Sequence, residues 1–215
     1  MPLISLVILS GPLLAQEYRI EPFEAVPPPD ALSGQVAAAL SGSGFKVMQG
    51  EKRAVCEIWI AKQWDVNPDF TPSATVLYPL KLGSLVGALR FARKGADFRG
   101  QEIASGVYTL RYGNQPVDGN HVGTFDTRDF LLMVPASGDT SPAAIAEMDL
   151  FKSSAESAGS THPAIMPLVK PDAAGELPAL RHLEEQEWWT ARFGGEGADG
   201  KKVVLEVVVV GKAAE

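Results

Sequence analysis

A polar loop between two predicted strands gathers the side chains best suited to chemistry. It spans residues 113–129, and its candidate ligand-binding residues are Asp118, Asn120, His121, Asp126, Arg128 and Asp129. An imidazole beside a carboxylate can ligate a metal ion or form a general acid–base pair. The spacing fits no known metal loop, and the same residues are suited to plain turn chemistry. The residues therefore favour a structural loop, with a binding site as the alternative.

A second candidate lies at residues 181–189. If this segment is a strand, His182, Glu184 and Trp188 share one face, from which a His and a Glu reach one ligand and an indole stacks on a sugar ring. Trp189 lies on the opposite face. The pattern favours a solvated charged edge followed by two core tryptophans, with a carbohydrate-contacting module as the alternative.

The chain has three histidines, His121, His162 and His182. If they converge, they form a site for zinc or copper, to which Met166 adds a soft ligand for copper. Their spacing does not require convergence, so we predict no cofactor from the sequence and keep zinc or copper as a hypothesis.

Other catalytic signatures are missing from the sequence. It contains no Gly-x-Ser-x-Gly motif, and no glycine cluster is followed by the Lys and Ser/Thr of a phosphate-binding loop. The single cysteine, Cys56, shares a predicted strand face with Ile58 and Ile60, so we expect it to be a core residue. The catalytic residues of any enzymatic activity therefore stay unknown.

Composition limits the class of protein. A chain of 215 residues with 46% hydrophobic content can bury a core without disulfides. Its net charge of −7 and its lack of long basic runs exclude a typical nucleic-acid-binding protein, because phosphate binding needs clustered cations.

The first 15 residues predict a signal peptide. They form an uncharged, mostly apolar run that is too short to cross a bilayer as a helix, and Ala15-Gln16 is a plausible cleavage junction. We therefore expect export to the periplasm or the extracellular space, with no transmembrane segment in the mature chain. The alternative is a buried first strand.

Residues 16–44 predict an extended lead-in and a short helix. Pro22 and the prolines at 27–29 argue against helix and sheet pairing alike, and Asp30 offers a cap for a helix over 31–40. The Ser41–Gly44 segment, rich in glycine, is expected to end that helix.

Residues 45–215 predict a single antiparallel β-sandwich or jelly-roll-like domain. Two-residue alternation and short apolar runs indicate strands at 45–48, 54–62, 76–80, 85–92, 107–112, 130–134 and 165–169, and a closing hairpin that ends at 203–210. The continuous apolar run at 130–134 indicates burial on both faces. A second peripheral helix is expected to begin at Ser141-Pro142, to present Ile145, Met148 and Phe151 on one face, and to end near Gly159.

The segment Glu102–Tyr112 contains a Gly-x-Tyr-x-Leu strand entry at Gly106, Tyr108 and Leu110. It resembles a family of exported bacterial β-sandwich domains with no established activity. The similarity covers residues 91–134, with a weaker match at 203–212. It implies a β-sandwich and export, and it carries over no catalytic residue.

Together these patterns predict an exported, soluble, non-enzymatic β-sandwich protein that binds or scaffolds at the cell envelope. Its partner would be an unknown ligand or an envelope protein. Two alternatives remain open: a metal-dependent site or enzyme built on His121, His182 and nearby carboxylates, and a carbohydrate-contacting module that uses Trp188 or Trp189.

Overall fold

The computed structural model describes residues 18–28, 30–117, 125–172 and 175–213. Twelve strands and two helices lie within these ranges. The strands are β1 (Tyr18–Glu24), β2 (Leu40–Gln49), β3 (Arg53–Ala61), β4 (Leu85–Phe91), β5 (Gly95–Ala96), β6 (Glu102–Ile103), β7 (Gly106–Asn114), β8 (Asp129–Pro135), β9 (Ile165–Pro167), β10 (Ala179–Leu183), β11 (Trp188–Glu196) and β12 (Lys202–Val210). The helices are α1 (Gly34–Ala39) and α2 (Glu147–Ala158).

The strands form a mostly-β antiparallel sandwich, as predicted. A seven-stranded sheet has the order β1-β2-β3-β4-β7-β8-β9, a three-stranded sheet has the order β10-β11-β12, and β5 pairs with β6. The two larger sheets share one core, in which Phe45 on β2 contacts Phe193 on β11 with ring centroids 5.3 Å apart. An isolated bridge between Leu168 and Val207 joins them beyond β9.

The β7–β8 pair is buried on both of its faces. Leu110 and Leu131 belong to the core shared with the three-stranded sheet. On the opposite face, Leu132 and Val134 pack with Leu150 of α2 in a second apolar cluster. The prediction that the run at 130–134 is buried on both faces is confirmed, because a helix covers the face that the second sheet does not.

The lead-in is extended, yet the expectation that its prolines prevent sheet pairing is wrong, because β1 is part of the seven-stranded sheet. It pairs with β2, with Pro22 opposite Phe45. An edge strand needs hydrogen-bond donors on one side only, so it tolerates a proline.

Helix α1 is shorter than predicted, and its cap is Ser33 instead of Asp30. The Ser33 hydroxyl accepts a hydrogen bond from the Val36 amide at 3.1 Å, which is the geometry of a helix N-cap. The helix ends at Ala39, before residues 41–44, which belong to β2. Gly44 is required there because a Cβ atom would lie 2.1 Å from the Ile58 carbonyl oxygen.

The predicted strand at residues 76–80 is also wrong. Leu80 forms an isolated bridge with Val66 within a long connection between β3 and β4. The Leu77 amide donates to the Asp129 carboxylate at 2.7 Å. A side chain therefore accepts the hydrogen bond that a neighbouring strand was expected to accept. The other strand predictions agree with the structure, including the closing hairpin of β11 and β12.

Helix α2 begins at Glu147, five residues after the predicted Ser141-Pro142 start. The carbonyls of Ser141 and Ala143 accept hydrogen bonds from the Arg111 guanidinium, which holds this segment out of the helix. The helix buries Leu150, while Met148 is 84% exposed, so the predicted apolar face is wrong at that position. The helix ends as predicted, at Gly159 in a left-handed conformation.

The residue that holds this segment is Arg111, whose side chain is fully buried on β7. It forms two hydrogen bonds of 2.8 Å with Asp139, from Nε and Nη2. Thr109 donates to the same carboxylate at 2.5 Å. The remaining guanidinium hydrogens reach the Gly83, Ser141 and Ala143 carbonyls, so the buried charge is paired and its hydrogen bonds are satisfied.

Replacing Arg111 with Met is expected to lower the free energy of unfolding by about 3–5 kcal/mol, because the Asp139 carboxylate would remain buried without its cation. Urea denaturation measures the change. Lys94→Met, which removes an exposed pair with Glu102, is the control and is expected to cost at most about 1 kcal/mol. Equal costs for the two variants would contradict a structural role for the Arg111 ion pair.

Cys56 is buried in the shared core, as predicted, with Ile58 beside it. Burial, assisted by the Glu57 charge, raises the pKa of the Cys56 thiol to about 12. Since the thiolate is the reactive form, the folded protein should hold this thiol inert near neutral pH.

We expect folded Cys56 to resist iodoacetamide at pH 8 and to react readily in urea. Its pKa rises from 9.0 to about 12, which lowers the thiolate fraction by roughly a thousandfold. Mass spectrometry of timed alkylation measures the rate. A Cys56→Ser, Ser137→Cys variant, which moves the thiol to an exposed position, is the control. Alkylation of native Cys56 at the control's rate would overturn the expectation.

Candidate functional site

A pocket lies on the face of the seven-stranded sheet that carries α2. It has a volume of about 290 Å³, and we call it the β8 pocket. Its floor and walls are apolar, with Phe130 and Leu132 from β8, Phe151 from α2 and Ile165 from β9. Other residues complete its lining: Arg99, Asn114, Gln115, Pro116, Thr161, His162 and Pro163.

The position of α2 sets one wall of this pocket. Serine side chains hold the helix, with Ser157 donating to the Met133 carbonyl on β8 at 2.9 Å and Ser154 donating to the Ala164 carbonyl at 3.1 Å. Leu150 packs on Phe130 and Leu132, and Phe151 contacts the same cluster while lining the pocket. The helix therefore covers part of the outer face of β8 and leaves a concave apolar region beside it.

The loop that carries Arg99 is held by the buried carboxylate of Asp97. That carboxylate accepts hydrogen bonds from the amides of Arg99 (3.0 Å), Gln101 (2.8 Å) and Ile165 (3.2 Å), and from the Gln101 side chain (2.9 Å). The Phe98 amide donates to the Ile165 carbonyl at 3.0 Å. The backbone of Arg99 is thus fixed against β9, at the edge of the pocket.

His162, a predicted metal ligand, lines the β8 pocket. The amide of His162 donates to the Ser160 hydroxyl at 2.9 Å, and that hydroxyl contacts the Gln101 side chain at 2.5 Å. The side-chain amide of Gln101 also donates to the Pro163 carbonyl at 3.3 Å. These bonds fix the backbone on both sides of the imidazole.

Asp129, a predicted ligand-binding residue, is fully buried. Its carboxylate accepts hydrogen bonds from the Tyr112 hydroxyl at 2.5 Å and from the Leu77 amide at 2.7 Å, and Asn114 lies at 3.4 Å. Burial raises the pKa of Asp129, and burial beside this carboxylate raises the pKa of Tyr112. Asp129 therefore acts on the site indirectly, by holding Asn114 and the loop at Leu77.

The other predicted residues of this loop divide into two groups. Arg128 binds the backbone, with Nε donating to the Gln115 carbonyl at 2.8 Å and its amide donating to the Thr75 carbonyl at 2.7 Å. Asp126 is exposed. Asp118, Asn120 and His121 lie outside the described residues, so their predicted roles stay predictions.

His182, Glu184 and Trp188 do not share a strand face. The chain turns at residues 184–187 between β10 and β11, and Glu187 adopts a positive φ of 56° in that turn. His182 is consequently opposite Trp189, and their rings stack at 4.5 Å. The predicted face was wrong because a tight hairpin interrupts the alternation.

Both tryptophans of this hairpin have aromatic neighbours. Trp188 stacks on Phe125 at 5.5 Å and meets the edge of Phe98 at 5.0 Å. Its indole nitrogen donates to the Lys212 carbonyl at 3.0 Å. Trp189 lies between His182 and Tyr18, with its ring centroid 5.2 Å from that of Tyr18.

Another buried carboxylate, Glu206 on β12, organises the three-stranded sheet. It accepts hydrogen bonds from Arg181 Nε at 2.7 Å, from the Thr190 hydroxyl at 2.6 Å and from the Asp172 amide at 2.9 Å. The Glu206 amide donates to the Tyr78 hydroxyl at 3.2 Å, and burial raises the pKa of Tyr78. This network joins the sheet to the connections at 78 and 172.

Within the described part of the chain, no group of three or more His, Cys, Asp and Glu side chains is arranged to hold a metal ion. His162 lines the β8 pocket, whereas His182 stacks on Trp189 of the β10–β11 hairpin. The convergence of these two with His121 is untested, because His121 is not described.

Sequence reasoning missed most of the pocket. Arg99 lies in a segment that predicts only a turn, and Phe151 and Thr161 belong to a helix and a loop that are distant from it along the chain. The available signal was the run at 130–134, which predicts burial on both faces. It does not indicate that the covering helix would leave a pocket.

Neither helix in the described ranges has the length and apolar character needed to cross a bilayer. Comparisons of the chain with family models, with curated proteins and with solved structures found no match.

Proposed function

We propose that this chain is an exported, non-enzymatic binding protein that holds a small, largely apolar molecule in the β8 pocket. The observation that carries the proposal is the composition of that pocket, in which a buried apolar floor is surrounded by a polar rim. Small-molecule sites typically combine an apolar lining with a few polar groups that orient the ligand. A volume of about 290 Å³ is at the lower end of the usual range, which favours a compact ligand.

The floor would provide the binding free energy. Phe130 and Leu132 are fixed in β8, and Ile165 in β9 is bonded through its backbone to Asp97 and Phe98. Transfer of apolar surface from water to such a floor is worth about 25 cal/mol per Å². Because the floor lies on rigid strands, little ordering would oppose binding.

The described contacts support binding at the pocket better than the two alternatives. Sugar stacking uses an open aromatic face, yet Trp188 stacks on Phe125 and Trp189 on His182. The metal-dependent alternative depends on His121, and zinc or copper analysis of the purified protein tests it directly.

We expect 3-phenylpropan-1-ol to bind saturably. A titration monitored by two-dimensional NMR should show chemical-shift changes at the backbone amides of Phe130, Phe151 and Ile165. Thr161→Trp should weaken this binding at least tenfold, because an exposed rim residue would place an indole at the pocket mouth.

Thr71→Trp is the matched control, since Thr71 is exposed and does not line the pocket. Unsaturable shifts at millimolar probe, or equal affinities for the two tryptophan variants, would refute the pocket as the binding site.

Export is part of the same proposal and depends on residues 1–15, which lie outside the described ranges. Expressed in a Gram-negative host, the full chain is expected in the periplasmic fraction with Gln16 as its new N-terminus. N-terminal sequencing and mass measurement check this. A chain without residues 2–15 is the control and should stay in the cytoplasm; an uncleaved full chain in the cytoplasm would reject export.

A further inference from the structure

We infer that the ligand of the β8 pocket is a compact carboxylate with an apolar tail, bound with its carboxylate at Arg99 and its tail on Phe130 and Leu132. This inference rests on the proposed function, since it names the chemical class that the same pocket would take. A single ring or a short acyl chain fits a pocket of about 290 Å³.

The charge of the pocket differs from that of the whole chain. The protein carries a net charge of −7, yet the described lining contains no Asp or Glu. Its basic side chains are Arg99 and His162. The surface of an acidic protein repels anions on average, and a lining without carboxylates repels an anion less than the rest of the surface does.

Arg99 forms no ion pair or side-chain hydrogen bond with any described residue. Several other surface cations pair with carboxylates in the same ranges: Arg19 with Glu21, Lys46 and Arg90 with Glu57, Lys94 with Glu102, Arg181 with Glu206 and Lys201 with Asp199. The guanidinium beside the apolar floor is therefore available to a ligand. Its planar set of donors matches both oxygens of a carboxylate.

Asp97 is the acidic residue bonded to this loop, and it does not compete for the Arg99 guanidinium. Its carboxylate accepts four N–H bonds, three from backbone amides and one from the Gln101 side chain. It is buried beneath the loop and does not line the pocket. Asp97 therefore positions the Arg99 backbone and leaves the guanidinium to the pocket side.

Apolar floor and cation together specify an amphipathic anion. A neutral hydrocarbon would use the floor alone, and a hydrophilic anion would use Arg99 alone, where water and salt weaken the interaction. A carboxylate joined to a ring or acyl chain uses both at once. The geometry thus discriminates by charge at one end of the ligand and by hydrophobicity at the other.

Three probes with the same tail test the inference: 3-phenylpropionate, 3-phenylpropan-1-ol and 3-phenylpropylamine. Calorimetric titration of the full chain is expected to give about tenfold tighter binding for the acid than for the alcohol, and the weakest binding for the amine. Raising the salt concentration from 50 to 500 mM should reduce this preference, because the charge lies at the pocket mouth.

Arg99→Met should bring the acid to the affinity of the alcohol, whereas Arg93→Met, the same change at an exposed arginine outside the lining, should keep the preference. Equal binding of acid and alcohol by the unmodified protein, or an unchanged preference in Arg99→Met, overturns the carboxylate inference while the pocket keeps its proposed function. If all three probes fail to saturate, the proposed function fails as well.

Discussion

The ion pair between Arg111 and Asp139 is the constraint on which the helix-covered side of the molecule depends. Arg111 is on a central strand, where a charge without a partner would cost several kcal/mol. Asp139 and four backbone carbonyls accept hydrogen bonds from the guanidinium, and three of those carbonyls belong to residues 141–143, so residues 139–143 must lie against the sheet. Helix α2 can begin only after this segment, and its start determines which of its side chains meet β8. The wall of the β8 pocket follows from that docking.

Buried carboxylates repeat this role elsewhere in the fold. Asp97, Asp129 and Glu206 each accept backbone N–H bonds from segments that are distant along the chain. A carboxylate is suited to this task, since its two oxygens accept several bonds at once and can satisfy amides that have no ladder partner. These residues look like catalytic candidates by type and by burial, yet their contacts are those of loop anchors. The proposed site lies beside them, where apolar surface and an available cation meet.

The fold class was predictable because strand alternation is a local property. Tyr108, Leu110 and Tyr112 alternate with Thr109 and Arg111, and the two sets occupy opposite faces of β7. Predictions failed where a distant partner overrode the local preference: Pro22 is tolerated at a sheet edge, Leu77 bonds to Asp129, and Ser141 accepts from Arg111. The candidate site was harder still. His162 was named from its residue type as a metal ligand, and Phe151 was predicted on a helix face, while no local pattern placed either of them or Arg99 in a pocket.

Residue order and local chemistry alone predict the mostly-β class, the hairpins of the sheet, the buried thiol and the burial of β8 on both faces. These depend on side-chain period, turn residues and hydrophobicity, which neighbours along the chain specify. The pairing of β1, the positions of the buried carboxylates, the true start of α2 and the pocket beside it required the folded chain. Each of them depends on groups tens of residues apart, and a hydrogen bond or an apolar contact between such groups exists only when the whole sandwich brings them within a few ångströms.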